Sequence, residues 1–210
     1  PDLTAPFPNL LGELSYVGRG TRPDILTPVS MHSRYTTTYD NTLYESLKRI
    51  VRYLKGTKHY KFVIKASPSI TTAPGKLVSI PAALYTDADW AADLEGRKSR
   101  SGWAIFVFGT LVSYGSKLQK TVALSSAEAE LMALTEGTKD LQHLLNLITE
   151  FLTPILPVPT HVDNQGAICL GNNKINNQRS KHIDIRHFYC RDLVEKGTIK
   201  LNFCPTTEML

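Results

Sequence analysis

The longest stretch of helical periodicity in this sequence carries a carboxylate inside its apolar stripe. From about Ser126 to Leu152, with Pro154 as the stop, Leu131, Leu134, Leu141, Leu145, Ile148 and Leu152 follow at spacings of three, seven, four, three and four. Such spacings put them on one helix face, the face that packs on a core. Glu130 lies four residues before Leu134 and so falls within the same stripe, at its N-terminal end. A carboxylate on a buried face costs several kcal/mol unless a cation or hydrogen-bond donors compensate it. Glu128 has an ordinary use, because Ser125 and Glu128 have capping-box spacing. The cap is therefore assigned to Glu128 and a function to Glu130. The structural alternative for Glu130 is a buried pair with a Lys or Arg.

Around this helix the chain alternates. Ala83–Asp87 reads as a strand. Gly102–Phe108 and Leu111–Tyr114 read as a hairpin turning on Gly109-Thr110 in a type II′ turn. Thr160–Asp163 is a short strand entering a helix near Gln165. Ile183–Glu195 is helical and stops at Gly197, and Thr198–Phe203 closes as a strand. Strands, helix, strand, helices and strand make a mixed α/β sheet with helices packed on its faces.

Two of these strands end in aspartates. A pair of divalent cations about 4 Å apart needs several converging carboxylates. Asp87 ends the first strand, where a turn role is the alternative and Asp89 and Asp93 compete with it. Asp163 ends the strand His161-Val162-Asp163, where an N-cap role is the alternative. With Glu130 they give the order Asp, Glu, Asp. Integrase-type nucleases of related architecture place the Glu last, whereas ribonuclease H places it second.

The first third of the chain differs in charge. The net charge of the 210 residues is +5. Residues 1–66 hold 10 Lys/Arg against 5 Asp/Glu, and residues 67–210 hold 14 of each, so the whole excess lies in the first third. A polyanion would be steered there, and nucleic acid is the candidate. The same segment holds a helix read from Thr42 to Lys55, capped by Thr42 and Glu45 and stopped by Gly56. Leu43, Leu47, Ile50, Val51 and Leu54 form its apolar stripe, with Lys48, Arg49, Arg52 and Lys55 opposite. Those four are candidate phosphate contacts, or simply a solvated helix face. Residues 67–79 (SPSITTAPGKLVS) read as a linker rich in Ser, Thr, Pro and Gly. No apolar run approaches a membrane span, and the N-terminus has no signal-peptide pattern. Pro1 stands where Met is expected, as in an excised piece of a longer chain. Cys169, Cys190 and Cys204 lack C-x-x-C spacing and read as reduced thiols.

YTDADWAADLEGRKSRSGW, KLQKTVALSSAEAELMAL, HVDNQGAI and SKHIDIRHF, in this order and spacing, resemble the ribonuclease H domain of copia-type LTR-retrotransposon polyproteins. The upstream stretch NLLGELSYVGRGTRPDILTPVSMHSRY, with SLKRIVRYLKGTKHY, resembles the region joining reverse transcriptase to that domain. The resemblance implies an α/β, ribonuclease H-like fold. Its five-stranded mixed sheet with flanking helices would occupy 80–210, after a mainly helical connection segment at 1–66. It implies an endonuclease that cuts the RNA strand of RNA–DNA hybrids and depends on Mg²⁺ or Mn²⁺, with two ions in an intact site. Asp87, Glu130 and Asp163 match the family's catalytic metal ligands, with Asp87 expected to bridge both ions. Arg97, Lys98, Arg100, Lys117 and Lys120 become candidate phosphate contacts, or solvated side chains. The polymerase domain of the same polyprotein is the implied partner, an oligomer is compatible, and no membrane is involved. The implied location is a cytoplasmic virus-like particle or the nucleus.

Two departures stand out. The family's fourth Asp sits in an Ala-Asp dipeptide on a final helix. Here the matching strand runs to Phe203-Cys-Pro-Thr-Thr207, and the 210 residues end at Leu210 without it. Asp184 and Glu208 are the nearest acidic residues and are not assigned its role. The paired-Asp strand motif of polymerases is also absent, so no DNA synthesis is expected of this stretch. With three of four ligands, the alternative is an impaired or domesticated module that binds nucleic acid or acts as a scaffold.

Overall fold

The computed structural model describes residues 6–64, 79–150, 152–172 and 181–209. The chain divides into two compact units, Pro1–Val63 and Ile64–Leu210. The linker read at 67–79 lies outside the described residues except for Ser79.

The first unit packs three helices, α1 (Phe7–Gly20), α2 (Leu26–His32) and α3 (Asn41–Gly56). Phe7, Leu11, Leu14, Ile25, Val29, Tyr39, Leu47 and Ile50 form its core, with Phe7 stacked on Tyr39 at 4.7 Å. The cap of α3 differs from the expected Thr42. Asp40 holds that place, its Oδ1 accepting from the Leu43 N–H at 2.8 Å. A carboxylate there satisfies a free N–H and also meets the positive end of the helix dipole. Glu45 is thereby left to pair with Lys48 at 2.7 Å. Val51 is 39% exposed instead of lying on the buried stripe, because it sits one residue, about 100°, around from Ile50.

The second unit is built on a five-stranded sheet. Strands β2 (Ala82–Asp89), β3 (Arg100–Val107) and β4 (Thr110–Leu118) form an antiparallel meander. β6 (Val158–Val162) joins the free side of β2 in parallel, and β7 (Ile199–Phe203) joins β6 in parallel. The order is β4-β3-β2-β6-β7, the mixed sheet expected from the sequence. β1 (Ser79–Ile80) and β5 (Thr153–Pro154) form a separate two-residue parallel pair. Three helices complete the unit, α4 (Ser126–Thr149), α5 (Gln165–Asn172) and α6 (Lys181–Glu195). α4 packs across β2 and β3, and α5 and α6 pack on α4 and beside β7.

Two boundaries move. The hairpin turns on Phe108-Gly109, at φ 52° and 70°, with Val107 paired to Thr110. Positive φ at both positions is a type I′ turn, whose twist matches that of the strands; the expected II′ turn on Gly109-Thr110 is one residue late. α4 ends at Thr149 instead of near Leu152, because the residues around Pro154 extend to pair with Ser79 and Ile80.

Trp103 locks the helix to the sheet. Its indole Nε1–H donates to Asp140 Oδ2 of α4 at 2.9 Å, and the Ser113 hydroxyl donates to the same oxygen. Its ring lies over Gly115 on the neighbouring strand, where a Cβ would meet it at 2.2 Å. α4 makes its close approach at Gly137, where a Cβ would stand 2.8 Å from Thr86 Cγ2 and 3.1 Å from Trp103 Cβ. Gly137→Val is therefore expected to destabilise the unit by about 2 kcal/mol or more. The readout is a lower denaturant midpoint at unchanged m-value.

Candidate metal centre

The middle of the sheet places the first two carboxylates. β2 and β6 run parallel, with Thr86 level with Val162. The next residue on each, Asp87 and Asp163, therefore emerges at the same end of adjacent strands. Asp87 lies inside β2, opposite Gly102, and does not form a turn. The turn role belongs to Asp93, whose Oδ2 accepts from the Gly96 N–H at 3.0 Å. Asp163 is likewise not the cap of α5. Asn164 Oδ1 accepts from the Ala167 N–H at 3.1 Å, leaving Asp163 for other work.

The third carboxylate comes from α4. Ser125 caps this helix by accepting from the Glu128 N–H at 3.1 Å, and Glu128 Oε2 accepts from the Leu124 N–H at 2.7 Å. Glu128 is thus spent on the helix start. Glu130 is 5% exposed and faces the strand ends. Its Oε1 accepts from the Ala88 N–H at 3.1 Å, while Oε2 is buried with no hydrogen-bond partner.

Asp87, Glu130 and Asp163 each offer an oxygen, and these lie within 4.8 Å of one another. Among the described residues no Lys or Arg ion-pairs with any of them. Burial, then the charges of Asp87 and Asp163, push the Glu130 carboxyl up to about 8. Burial and the charge of Asp163 also raise the Asp87 carboxyl. Like charges gathered in a half-buried place repel unless a proton or a cation intervenes. Three hard oxygen donors suit Mg²⁺ or Mn²⁺, and the orphaned Glu130 oxygen has no other partner to satisfy it.

Thr206 was not singled out in the sequence. Its hydroxyl donates to Asp163 Oδ2 at 2.7 Å from a short 3₁₀ turn after β7. Glu208 lies in the same turn, is exposed and stands outside the cluster. The side chains of His182 and Asp184 lie outside the described ones.

The candidate phosphate contacts are dispersed. Lys48, Arg49, Arg52 and Lys55 are on α3 of the first unit, with Lys48 over the Tyr44 ring at 4.4 Å. Arg97 and Lys98 lie between β2 and β3, Arg97 in the left-handed region at φ 50°. Arg100 opens β3, its guanidinium 3.5 Å from Ser116 Oγ. Lys117, at the end of β4, pairs with Glu136 of α4 at 2.9 Å, and Lys120 follows, exposed.

No protein-family model matches the chain. It is 34% identical over 203 residues to the retrovirus-related Pol polyprotein from transposon TNT 1-94 of Nicotiana tabacum, covering 97% of this chain. It is 31% identical over 211 residues to the corresponding polyprotein from transposon RE2 of Arabidopsis thaliana. The chain spans 14% of the length of each of these relatives. It is also 38% identical over 135 residues to the secreted RxLR effector protein 161 of Plasmopara viticola, covering 88% of that protein and 64% of this one. Among solved structures it resembles the foamy viral protease-reverse transcriptase dRH in complex with ds DNA. The TM-score is 0.60 at 13% identity, over 98% of this chain and 33% of that one. A likeness at that identity concerns the fold, and the fold is ribonuclease H-like. The chain belongs to the copia-type LTR-retrotransposon Pol polyproteins, of which it is the ribonuclease H-like domain and the connection segment before it.

Proposed function

We propose that this domain is a metal-dependent endonuclease that hydrolyses the RNA strand of RNA–DNA hybrids during reverse transcription of a retrotransposon. The observation that carries this reading is the convergence of three carboxylates from β2, α4 and the end of β6, without a cationic side chain among the described residues to neutralise them. Family membership supports the choice of substrate.

Asp87, Glu130 and Asp163 would together hold the divalent cations, Mg²⁺ or Mn²⁺. Bound there, the ions would supply an activated water and stabilise the charge growing on the leaving 3′ oxygen. The residues of the chain prepare the place. The Ala88 N–H holds one Glu130 oxygen, and the other is buried without a protein partner. The Thr206 hydroxyl fixes the rotamer of Asp163. The Glu130 proton must leave before the centre carries its full charge, so metal affinity rises with pH up to about pH 8. The polymerase domain of the same polyprotein would deliver the hybrid, in a cytoplasmic particle or in the nucleus.

The test is incubation of the full chain with a labelled RNA–DNA hybrid in Mg²⁺ or Mn²⁺. The RNA strand should be cut, and the DNA strand and a matched RNA duplex should survive. Hybrid bound but uncut in both metals contradicts the proposal and favours a binding module without turnover.

A further inference from the structure

Glu130 can serve a cation only while the second turn of α4 keeps a fixed distance from β2. One tie acts further along the helix, where Trp103 grips Asp140, ten residues and about 15 Å from Glu130. Closer to Glu130 the hold comes from Gln119, the residue after β4, which is 6% exposed. Its backbone N–H donates to the Ser99 carbonyl at 2.9 Å. Its side-chain Nε2 donates twice, to Ser101 Oγ at 3.0 Å and to the Ala129 carbonyl at 2.9 Å.

These two acceptors meet Glu130 from both sides. Ala129 precedes it on the helix. Ser101 stands directly opposite Ala88 in the β2–β3 pairing, and the Ala88 N–H is the donor that holds Glu130 Oε1. A closed circuit of contacts thus runs from the Glu130 carboxylate through Ala88, Ser101 and Gln119 to the Ala129 carbonyl and back to Glu130. Within that circuit the helix meets the sheet at two points, the Glu130 carboxylate and the Gln119 amide.

The amide faces only one way. The Ala129 carbonyl accepts and never donates, so Nε2 must lie against it, and Oε1 is left buried without a partner among the described residues. A buried acceptor left unmet costs stability. Methionine would fill a similar volume without that cost. An ammonium could donate in the same way, but it would bring a buried positive charge next to a cation site. Stability alone gives little reason for an amide here, whereas aiming a carboxylate does.

We propose that Gln119 is a positioning residue of the metal centre: its carboxamide fixes the α4 turn that carries Glu130 against the sheet, so that the carboxylate meets the Ala88 N–H and a cation shared with Asp87 and Asp163. The role rests on the metal-centre reading given above.

The test is Mn²⁺ binding to the full chain at pH 8, read by electron paramagnetic resonance with no nucleic acid present. Mn²⁺ sites that survive Asp87→Asn are subtracted. Gln119→Met should weaken the remaining site about tenfold, because Glu130 is no longer held toward its partners. In the metal-free variant the Ala88 amide proton should shift in its NMR spectrum and exchange faster, as its bond to Glu130 loosens. The melting temperature should change little, since the orphaned oxygen goes together with the two lost bonds. Leu145→Ala, in the core toward the other end of α4, controls for general loosening. It should melt lower yet bind Mn²⁺ within about twofold of the parent. Ser101→Ala opens the same circuit on the strand side and should weaken the site about threefold, which keeps the test open if Gln119→Met does not fold. An unchanged affinity or an unchanged Ala88 signal in Gln119→Met, or an equal weakening in Leu145→Ala, overturns the role of Gln119 and leaves the metal centre standing. A parent chain with no Asp87-dependent Mn²⁺ site overturns the metal centre, and this role with it.

Discussion

Asp87→Asn is expected to lower metal-dependent cleavage of an RNA–DNA hybrid by at least about a thousandfold at saturating hybrid, equivalent to about 4 kcal/mol of transition-state stabilisation. Asp87 stands on the central strand beside β6, and its carboxylate offers an oxygen within 4.8 Å of those of Glu130 and Asp163. Asparagine keeps its size and shape but supplies no charge for a cation. The fold should not suffer, since Asp87 is exposed, lies outside the buried core and is repelled by Asp163 and Asp89, while asparagine keeps an oxygen that can accept from the Ala88 N–H. Removing its charge also relieves Glu130, whose carboxyl Asp87 helps to raise. The metal-free variant should therefore melt no lower than the parent at pH 8, while cleavage collapses. A loss of activity accompanied by a large drop in melting temperature would point instead to a structural Asp87.

Glu130→Gln is expected to stabilise the metal-free protein at high pH by roughly 3–5 kcal/mol. The Glu130 carboxyl rises from 4.5 to about 8 on folding, first through burial and then through Asp87 and Asp163. Between those values the folded state keeps a proton that the unfolded state has lost. Stability of the parent therefore falls as pH rises from 4.5 to about 8 and is level above that. Glutamine stays neutral throughout, so this part of the pH dependence should vanish. Parent and variant should converge near pH 5 and separate progressively up to pH 8.5, the variant melting higher. Mg²⁺ should reverse the order at pH 8.5, because only the parent gains from binding it. Parallel stability curves for the two proteins, with no Mg²⁺ effect on either, would remove Glu130 from the centre. A residue whose loss stabilises the fold while abolishing cleavage is one kept for function.

Much of this centre was legible in the sequence, for a local reason. Helical spacing alone put Glu130 in the core-facing stripe and gave Glu128 the cap, and both hold. The sheet followed from the alternation of strand and helix patterns. Where the reading slipped, neighbouring residues competed for one role or a distant partner intervened. Asp40 displaced Thr42 as the cap of α3 because both lie at a helix start and a carboxylate serves it better. The hairpin moved by one residue because Phe108, a poor candidate for positive φ, is forced there by the strand twist. α4 stopped early because Pro154 pairs with Ile80, far back along the chain. The hold of Thr206 on Asp163 spans 43 residues, and no pattern announces it.

The shared ion site is tested most directly by anomalous diffraction from crystals of the chain grown with Mn²⁺ at pH 8. The expected result is a peak within about 2.0–2.3 Å of oxygens from Asp87, Glu130 and Asp163, with the second Glu130 oxygen turned onto the ion. Crystals with Mn²⁺ bound elsewhere, and the Glu130 carboxyl neutral and hydrogen-bonded to protein alone, would contradict it.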